Sequence, residues 1–172
     1  MTFTDTNGVE HTIAGFAGKT VVLEWTNPEC PFDKKHYETG NMQKLQKEAT
    51  DMGAIWVAVN SGGEGKQGSY ATDEAANADN KAKGFAGTAY VRDVAGEFGK
   101  TFGAKTTPHM YVINPEGVLA YAGAIDSIPS AQFEDVEKAE NYVMAAVKAI
   151  AAGEEVSPSS TQPYGCSVKY AN

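Results

Sequence analysis

Arginine is nearly missing from this 172-residue chain: Arg92 is the only one, and 14 lysines plus arginines face 22 acidic residues for a formal charge of −8. A basic face for nucleic acid, or a guanidinium clamp for phosphate, cannot be built from that inventory. Apolar runs are short and none approaches the ~18 residues of a membrane span, so neither nucleic acid nor membrane is expected as a partner. Residues 1–8 have neither the basic start nor the apolar stretch of a signal peptide. Turn chemistry begins so abruptly after Met1 that an upstream segment is expected to have been trimmed; the protein would then be exported or periplasmic, and otherwise cytoplasmic. Cysteine is scarce as well. Cys30 and Cys166 stand too far apart in sequence for the short-spaced pairs of a structural zinc site. Two buried thiols, one long-range disulfide or a redox pair all remain open.

What is present is an ordinary globular composition, 42% hydrophobic and 21% charged, at a length that suits one domain and a little more. Residues 1–152 are assigned to that domain and 153–172 to a tail. Asp5-Thr6-Asn7-Gly8 lies between two alternating segments and predicts an N-terminal β-hairpin. The run 20–26 is β-branched, aromatic and nearly all apolar, as in a strand covered on both faces. Asn27-Pro28-Glu29 ends it, and a helical segment follows from Cys30-Pro31 to Met52, interrupted at Gly40. A second buried strand, 54–60, is reached through that helix and should run parallel to the first. Gly62 to Gly68 is glycine-rich but lacks the phosphate-loop spacing, and is read as a flexible surface loop.

Further on, 69–83 is helical by propensity, 89–92 is a short strand, and 96–102 a short helix closed by Gly103. Pro108 opens the strand that runs to Ile113, and Val118 to Gly123 returns as its hairpin partner across Asn114-Pro115-Glu116-Gly117. An apolar stripe through Phe133, Val136, Ala139, Val143 and Val147 predicts one amphipathic helix over 132–151. The tail has no helical period and is read as irregular and mobile.

Pro31 suits the first position of a helix, which puts Cys30 at or beside the N-cap, where free backbone N–H groups and the helix dipole favour a thiolate. A buried, inert cysteine is the equally weighted alternative. Lys34, Lys35 and His36 read as a solvated helix face.

Strand, loop, Cys-Pro helix, and later Thr107-Pro108 opening a strand before a hairpin and a last helix: this order resembles the thioredoxin-like redoxins. It is more closely similar to the peroxiredoxin-like branch of the alkyl hydroperoxide reductase and thiol-specific antioxidant superfamily. The likeness runs through Glu24-Trp25-Thr26-Asn27-Pro28-Glu29-Cys30-Pro31-Phe32, Lys105-Thr106-Thr107-Pro108-His109 and Pro163-Tyr164-Gly165-Cys166. It departs from the family pattern in three places. The frame Asn27-Pro28-Glu29-Cys30 holds no second cysteine, Asn27 replaces the threonine of the peroxidatic motif, and Arg92 lies in another strand.

The resemblance implies an α/β fold, a thioredoxin-like three-layer sandwich with an N-terminal β-hairpin and an irregular C-terminal tail. It implies a thiol oxidoreductase that reduces peroxides or disulfides through Cys30, with Cys166 as resolving thiol and a thioredoxin-like or small thiol as reductant. Thr107 and Pro108 would form the cis-proline wall of the site. His109 would lie near Cys30 and act as imidazolium or proton donor, with an ordinary strand histidine as the competing reading. No cofactor or metal is called for. The rival readings are a copper handler using Cys30 and His109 with Cys166, His36 or Met110, and a non-catalytic domain locked by one disulfide.

Overall fold

The computed structural model describes all 172 residues. At its centre is a five-stranded mixed sheet in the order β5-β4-β3-β7-β8, with β3 (Val21–Trp25) in the middle. All five β3 residues are buried, as its nearly unbroken apolar run predicts for a strand covered on both faces. It runs parallel to β4 (Ile55–Asn60), which runs parallel to β5 (Ala89–Arg92), while β7 (His109–Ile113) is antiparallel to β3 and to β8 (Leu119–Gly123).

Alternation along the strands divides the apolar side chains between two cores. One contains Val22, Trp56, Met110 and Val112, together with Tyr37 of α1 (Pro31–Glu38), Leu45 of α2 (Asn41–Asp51) and Val147 of α5 (Tyr142–Ala151). The other contains Leu23, Trp25, Val57, Val91 and Tyr111, closed by Phe98 of α4 (Glu97–Phe102) and by Phe3. Phe3 belongs to the N-terminal hairpin, β1 (Thr2–Thr4) and β2 (Glu10–Thr12), and stacks on Phe98 at 5.0 Å between ring centroids. Helices therefore cover both faces of one sheet, and the three layers expected from the sequence are present.

Local signals set most boundaries. α3 (Asp73–Lys83) starts where the Thr72 hydroxyl accepts from the Ala75 amide at 3.1 Å, four residues later than propensity suggests. The predicted helix over 132–151 is corrected: residues 133–135 form one 3-10 turn, and α5 begins only at Tyr142, capped by the Asn141 side chain accepting from the Met144 amide at 2.9 Å. A capping residue inside the apolar stripe starts the helix there, and Phe133 is left exposed.

The tail is neither mobile nor detached. It follows β8, where Ala122 N–H donates to Ser159 O and Thr161 N–H to Ala122 O, each at 3.1 Å. It then forms β9 (Cys166–Ser167) against β6 (Thr106–Thr107) and ends over the loop after β4, where Gly63 N–H donates to Lys169 O at 2.8 Å. That loop is correspondingly not a free surface loop: Gly62, Gly63 and Gly68 are buried, and a Cβ on Gly63 would strike the Ala171 backbone. No helix is long and apolar enough to cross a membrane.

Candidate functional site

Cys30 is the N-cap of α1, extended at φ −79°, with Pro31 at the first helical position. Its side chain makes no capping bond to its own helix. It turns instead toward β6, where its Sγ–H donates to the Thr107 carbonyl oxygen at 3.2 Å. The Thr107–Pro108 peptide bond is cis. Thr107 is also the β6 residue paired with Cys166 of β9, so the two cysteines, 136 positions apart in sequence, come together beside one carbonyl. Both thiols are free. Cys30 is only 1% exposed, while Cys166 is half-buried.

Burial, and after it the hydrogen bond and charge of Cys30, push the Cys166 thiol up to about 11, against the opposing effect of Lys169 and of the Phe32 amide, free at the start of α1. The Thr107 hydroxyl is buried and has no hydrogen-bond partner in the protein.

Tyr164, two residues ahead of Cys166, anchors this part of the tail. Its hydroxyl donates to Asp126 Oδ1 at 2.6 Å, accepts from Lys35 Nζ at 3.3 Å and meets His36 Nε2 at 3.2 Å, and its ring packs edge-on against Phe32. Lys35 and His36 are fully buried, and only Lys34 of the three lies at the surface; the solvated face expected for all three is corrected. Burial, and then the Lys35 charge, push His36 down to about 3, so it is a neutral ring. The Asn41 side-chain amide donates to its Nδ1 at 2.9 Å, leaving the proton on Nε2 to reach Tyr164. The 3.9 Å approach of His36 to Asp126 is therefore not an ion pair.

Gly165 completes the arrangement. It sits at φ +142°, and a Cβ there would overlap the Thr107 carbonyl oxygen that receives the Cys30 hydrogen bond.

His109 is placed differently from the expectation. Its Nδ1 accepts from the Lys105 amide at 3.1 Å, and its ring stacks on Tyr111 at 4.6 Å. Burial, with Lys105 second, pushes it down to about 4. The imidazolium role beside Cys30 is thus corrected: the ring is neutral and committed to the β7 side of the sheet. The copper set does not assemble either. Met110 lies in the core, His36 is held by Asn41 and Tyr164, and no three His, Cys, Asp or Glu side chains converge in a ligating arrangement.

Two buried carboxyls were not singled out from the sequence. Glu24, at the centre of β3, receives Tyr37 Oη–H, Trp56 Nε1–H at 2.8 Å and Gln46 Nε2–H at 3.1 Å, and burial raises its carboxyl. Asp33, one turn after Cys30, accepts from the Thr26 hydroxyl and, at 2.9 Å, from the Asn27 amide through Oδ2. Its Oδ1 has no partner, and it borders a cavity of about 340 Å³ shared with Pro28, Lys34, Tyr37, Glu38, Asp79 and Lys83. Burial, and then the Glu24 charge, push Asp33 up to about 7. An acid in the first turn is ordinarily a helix-dipole residue, and that hid it.

Comparison with solved structures adds the fold family. A hypothetical protein of Sinorhizobium meliloti superimposes with a TM-score of 0.78 at 24% identity, covering 99% of this chain and 91% of that one. The pneumococcal exposed lipoprotein thioredoxin of Streptococcus pneumoniae matches 71% of this chain and 86% of its own, with a TM-score of 0.53 and 19% identity. The fold is thioredoxin-like. A secreted Mycobacterium tuberculosis disulfide oxidoreductase, described as homologous to DsbE of E. coli, matches with a TM-score of 0.54 at 18% identity over 69% of this chain and 79% of that one. No protein-family model and no curated protein sequence matches the chain. In this thioredoxin-like fold Cys30 stands at the start of α1, and the frame Asn27-Pro28-Glu29-Cys30 leaves it without a second cysteine within the motif.

Proposed function

We infer that the protein is a thiol oxidoreductase of peroxiredoxin-like type, in which Cys30 takes the oxidant and Cys166 resolves it. The observation that carries this reading is the meeting of the only two cysteines at the start of α1, both beside the Thr107 carbonyl. The mycobacterial neighbour is a disulfide oxidoreductase by its description, which supports thiol chemistry on this frame.

Chemistry follows from the surroundings of each sulfur. The Cys30 thiolate attacks one oxygen of a hydroperoxide; the O–O bond breaks, an alcohol or water leaves with the proton that Cys30 gave up, and Cys30 becomes a sulfenic acid. Cys166 then attacks that sulfur, an S–S bond forms and water leaves. With a disulfide as oxidant, the first step gives a mixed disulfide and one thiol, and the second expels the other thiol. A thiol donor returns the two electrons.

The order of events has a local cause. The Cys30 hydrogen bond and charge help to hold Cys166 protonated. Oxidation of Cys30 to a neutral sulfenic acid removes that charge, so the Cys166 proton is then held less tightly, with burial still the larger cause.

Mild oxidation of the reduced protein should yield a monomer two mass units lighter with no free thiol, the bond mapping to Cys30 and Cys166. Cys166→Ser should instead accumulate sulfenic acid or a disulfide-linked dimer at Cys30. Two thiols that stay free under oxidant would refute the reading.

A further inference from the structure

Any polypeptide that brings a sulfur to Cys30 must come alongside β6, because the partner of the Cys30 thiol is the carbonyl of a β6 residue. Strand addition to an unpaired edge is how an extended peptide docks with backbone hydrogen bonds. Here that edge is already taken. β6 has one strand partner, β9 of the same chain, and the register sets Cys166 opposite Thr107. The tail thus reproduces within one molecule the pose of a docked cysteine peptide.

The occupant is fastened on both sides of β9. Before it stands Tyr164, hydrogen-bonded into the buried Lys35, His36 and Asp126 group, and Gly165, whose lack of a Cβ permits the approach to Thr107. After it, Val168 N–H donates to Lys105 O at 3.1 Å and Tyr170 Oη–H to Ala104 O at 2.7 Å. Cys30 lies beneath this crossing, 1% exposed.

We propose that residues 164–168 are a built-in occupant of the peptide-docking edge, so that Cys30 exchanges with small disulfides and peroxides and not with protein disulfides, and that Tyr164 is the anchor that sets this selectivity. The proposal rests on the reading of Cys30 and Cys166 as a redox pair and names its substrate class. For a small disulfide the atoms balance as follows. Cys30 attacks one sulfur, the substrate S–S bond breaks and one thiol leaves; Cys166 attacks the Cys30 sulfur and the second thiol leaves, both electrons coming from the two cysteines.

A tethered segment competes at an effective concentration near the millimolar range, so a peptide at about 10 µM should be disfavoured by about 100-fold. The test uses the full-length reduced protein and two uncharged probes: hydroxyethyl disulfide, and the disulfide-linked dimer of an extended cysteine peptide of about ten residues. Loss of the Cys30 thiol, mapped by mass, gives a second-order rate constant for each. In the wild type the peptide constant should lie at least about 10-fold below the small-disulfide constant, because the occupied edge excludes a strand and not a small probe. Tyr164→Phe should raise the peptide constant by about 10-fold while the small-disulfide constant moves by less than about threefold, since the hydroxyl touches Asp126, Lys35 and His36 and neither sulfur.

Amide exchange at Val168 reports the strap itself, protected in the wild type and faster in Tyr164→Phe. Equal constants for the two probes in the wild type, an unprotected Val168 amide, or a loosened Val168 without a faster peptide reaction would each overturn the proposal. Should Tyr164→Phe fail to fold, the wild-type ratio and Val168 exchange decide the matter alone. A Cys30 that reacts with neither probe overturns the proposal, and one that hydrogen peroxide also leaves untouched overturns the redox reading with it, whereas equal reaction with both removes the selectivity alone.

Discussion

Replacing Asp33 with asparagine should change how stability depends on pH, with a sign that follows from burial. Asp33 is fully buried and its carboxyl is pushed from 3.8 up to about 7. The native state therefore holds a proton that the unfolded chain has already released, and this group's contribution falls as pH rises from about 4 through 7. His36 and His109 act in the opposite direction. Both are neutral when folded, pushed down from 6.5 to about 3 and about 4, so the unfolded chain takes up protons first and stability falls as pH falls below about 6.5.

The difference between wild type and Asp33→Asn reports the Asp33 carboxyl together with its coupling to Glu24, because the two histidines are common to both proteins. The asparagine oxygen can accept from Thr26 and Asn27 as Oδ2 does, with its NH₂ turned toward the cavity where Oδ1 has no protein partner. Between pH 5 and pH 7 the shift spans about two pH units at about 1.4 kcal/mol each, so the wild type should lose about 2–3 kcal/mol relative to the variant. Urea unfolding of both proteins under reducing conditions, at intervals from pH 5 to pH 8, measures this directly. Curves that stay parallel across that range would show that Asp33 is ionised in the folded protein at pH 5, and the burial reasoning would be wrong.

Gly165→Ala should release the tail at a loss of about 2 kcal/mol, since its φ of +142° and the Thr107 carbonyl both exclude a Cβ, and the Val168 amide bonded to Lys105 should then exchange faster. Closing the Cys30–Cys166 bond should stabilise the protein by about 5 kcal/mol on the chain-entropy model for so long a loop, seen as a higher urea midpoint for the oxidised form. In nuclear magnetic resonance titrations His109 should change its ring shifts near pH 4 and not near 6.5; a midpoint at the ordinary value would restore the imidazolium excluded above. His109→Ala should destabilise the fold by about 1–2 kcal/mol, because the Lys105 amide loses its acceptor.

Local chemistry determined what the sequence could disclose unaided. The unbroken apolar run of β3 announced a doubly covered strand, Asn7-Gly8 the hairpin, Pro31 the start of α1 with Cys30 at its cap, and Pro108 the opening of β7. Each of these depends on residues within a few positions of one another, where periodicity and capping operate. Their order along the chain carried the resemblance that implied the three-layer fold.

Partners distant in sequence decided the rest. Lys35 and His36 look like surface residues of any charged helix, and they are buried because Tyr164, 129 and 128 positions away, brings a hydroxyl to both. Asp33 became a raised, half-satisfied carboxyl only when Glu24 and the sheet closed over it. His109 was drawn to Lys105 and Tyr111 rather than to Cys30 by its position in β7. A tail without helical period reads as slack chain, yet its backbone groups found carbonyls and amides on β6, β8 and the loop after β4. Such pairing leaves no periodic trace in sequence, because each bond joins the main chain of one short segment to a surface that exists only after the sheet has formed.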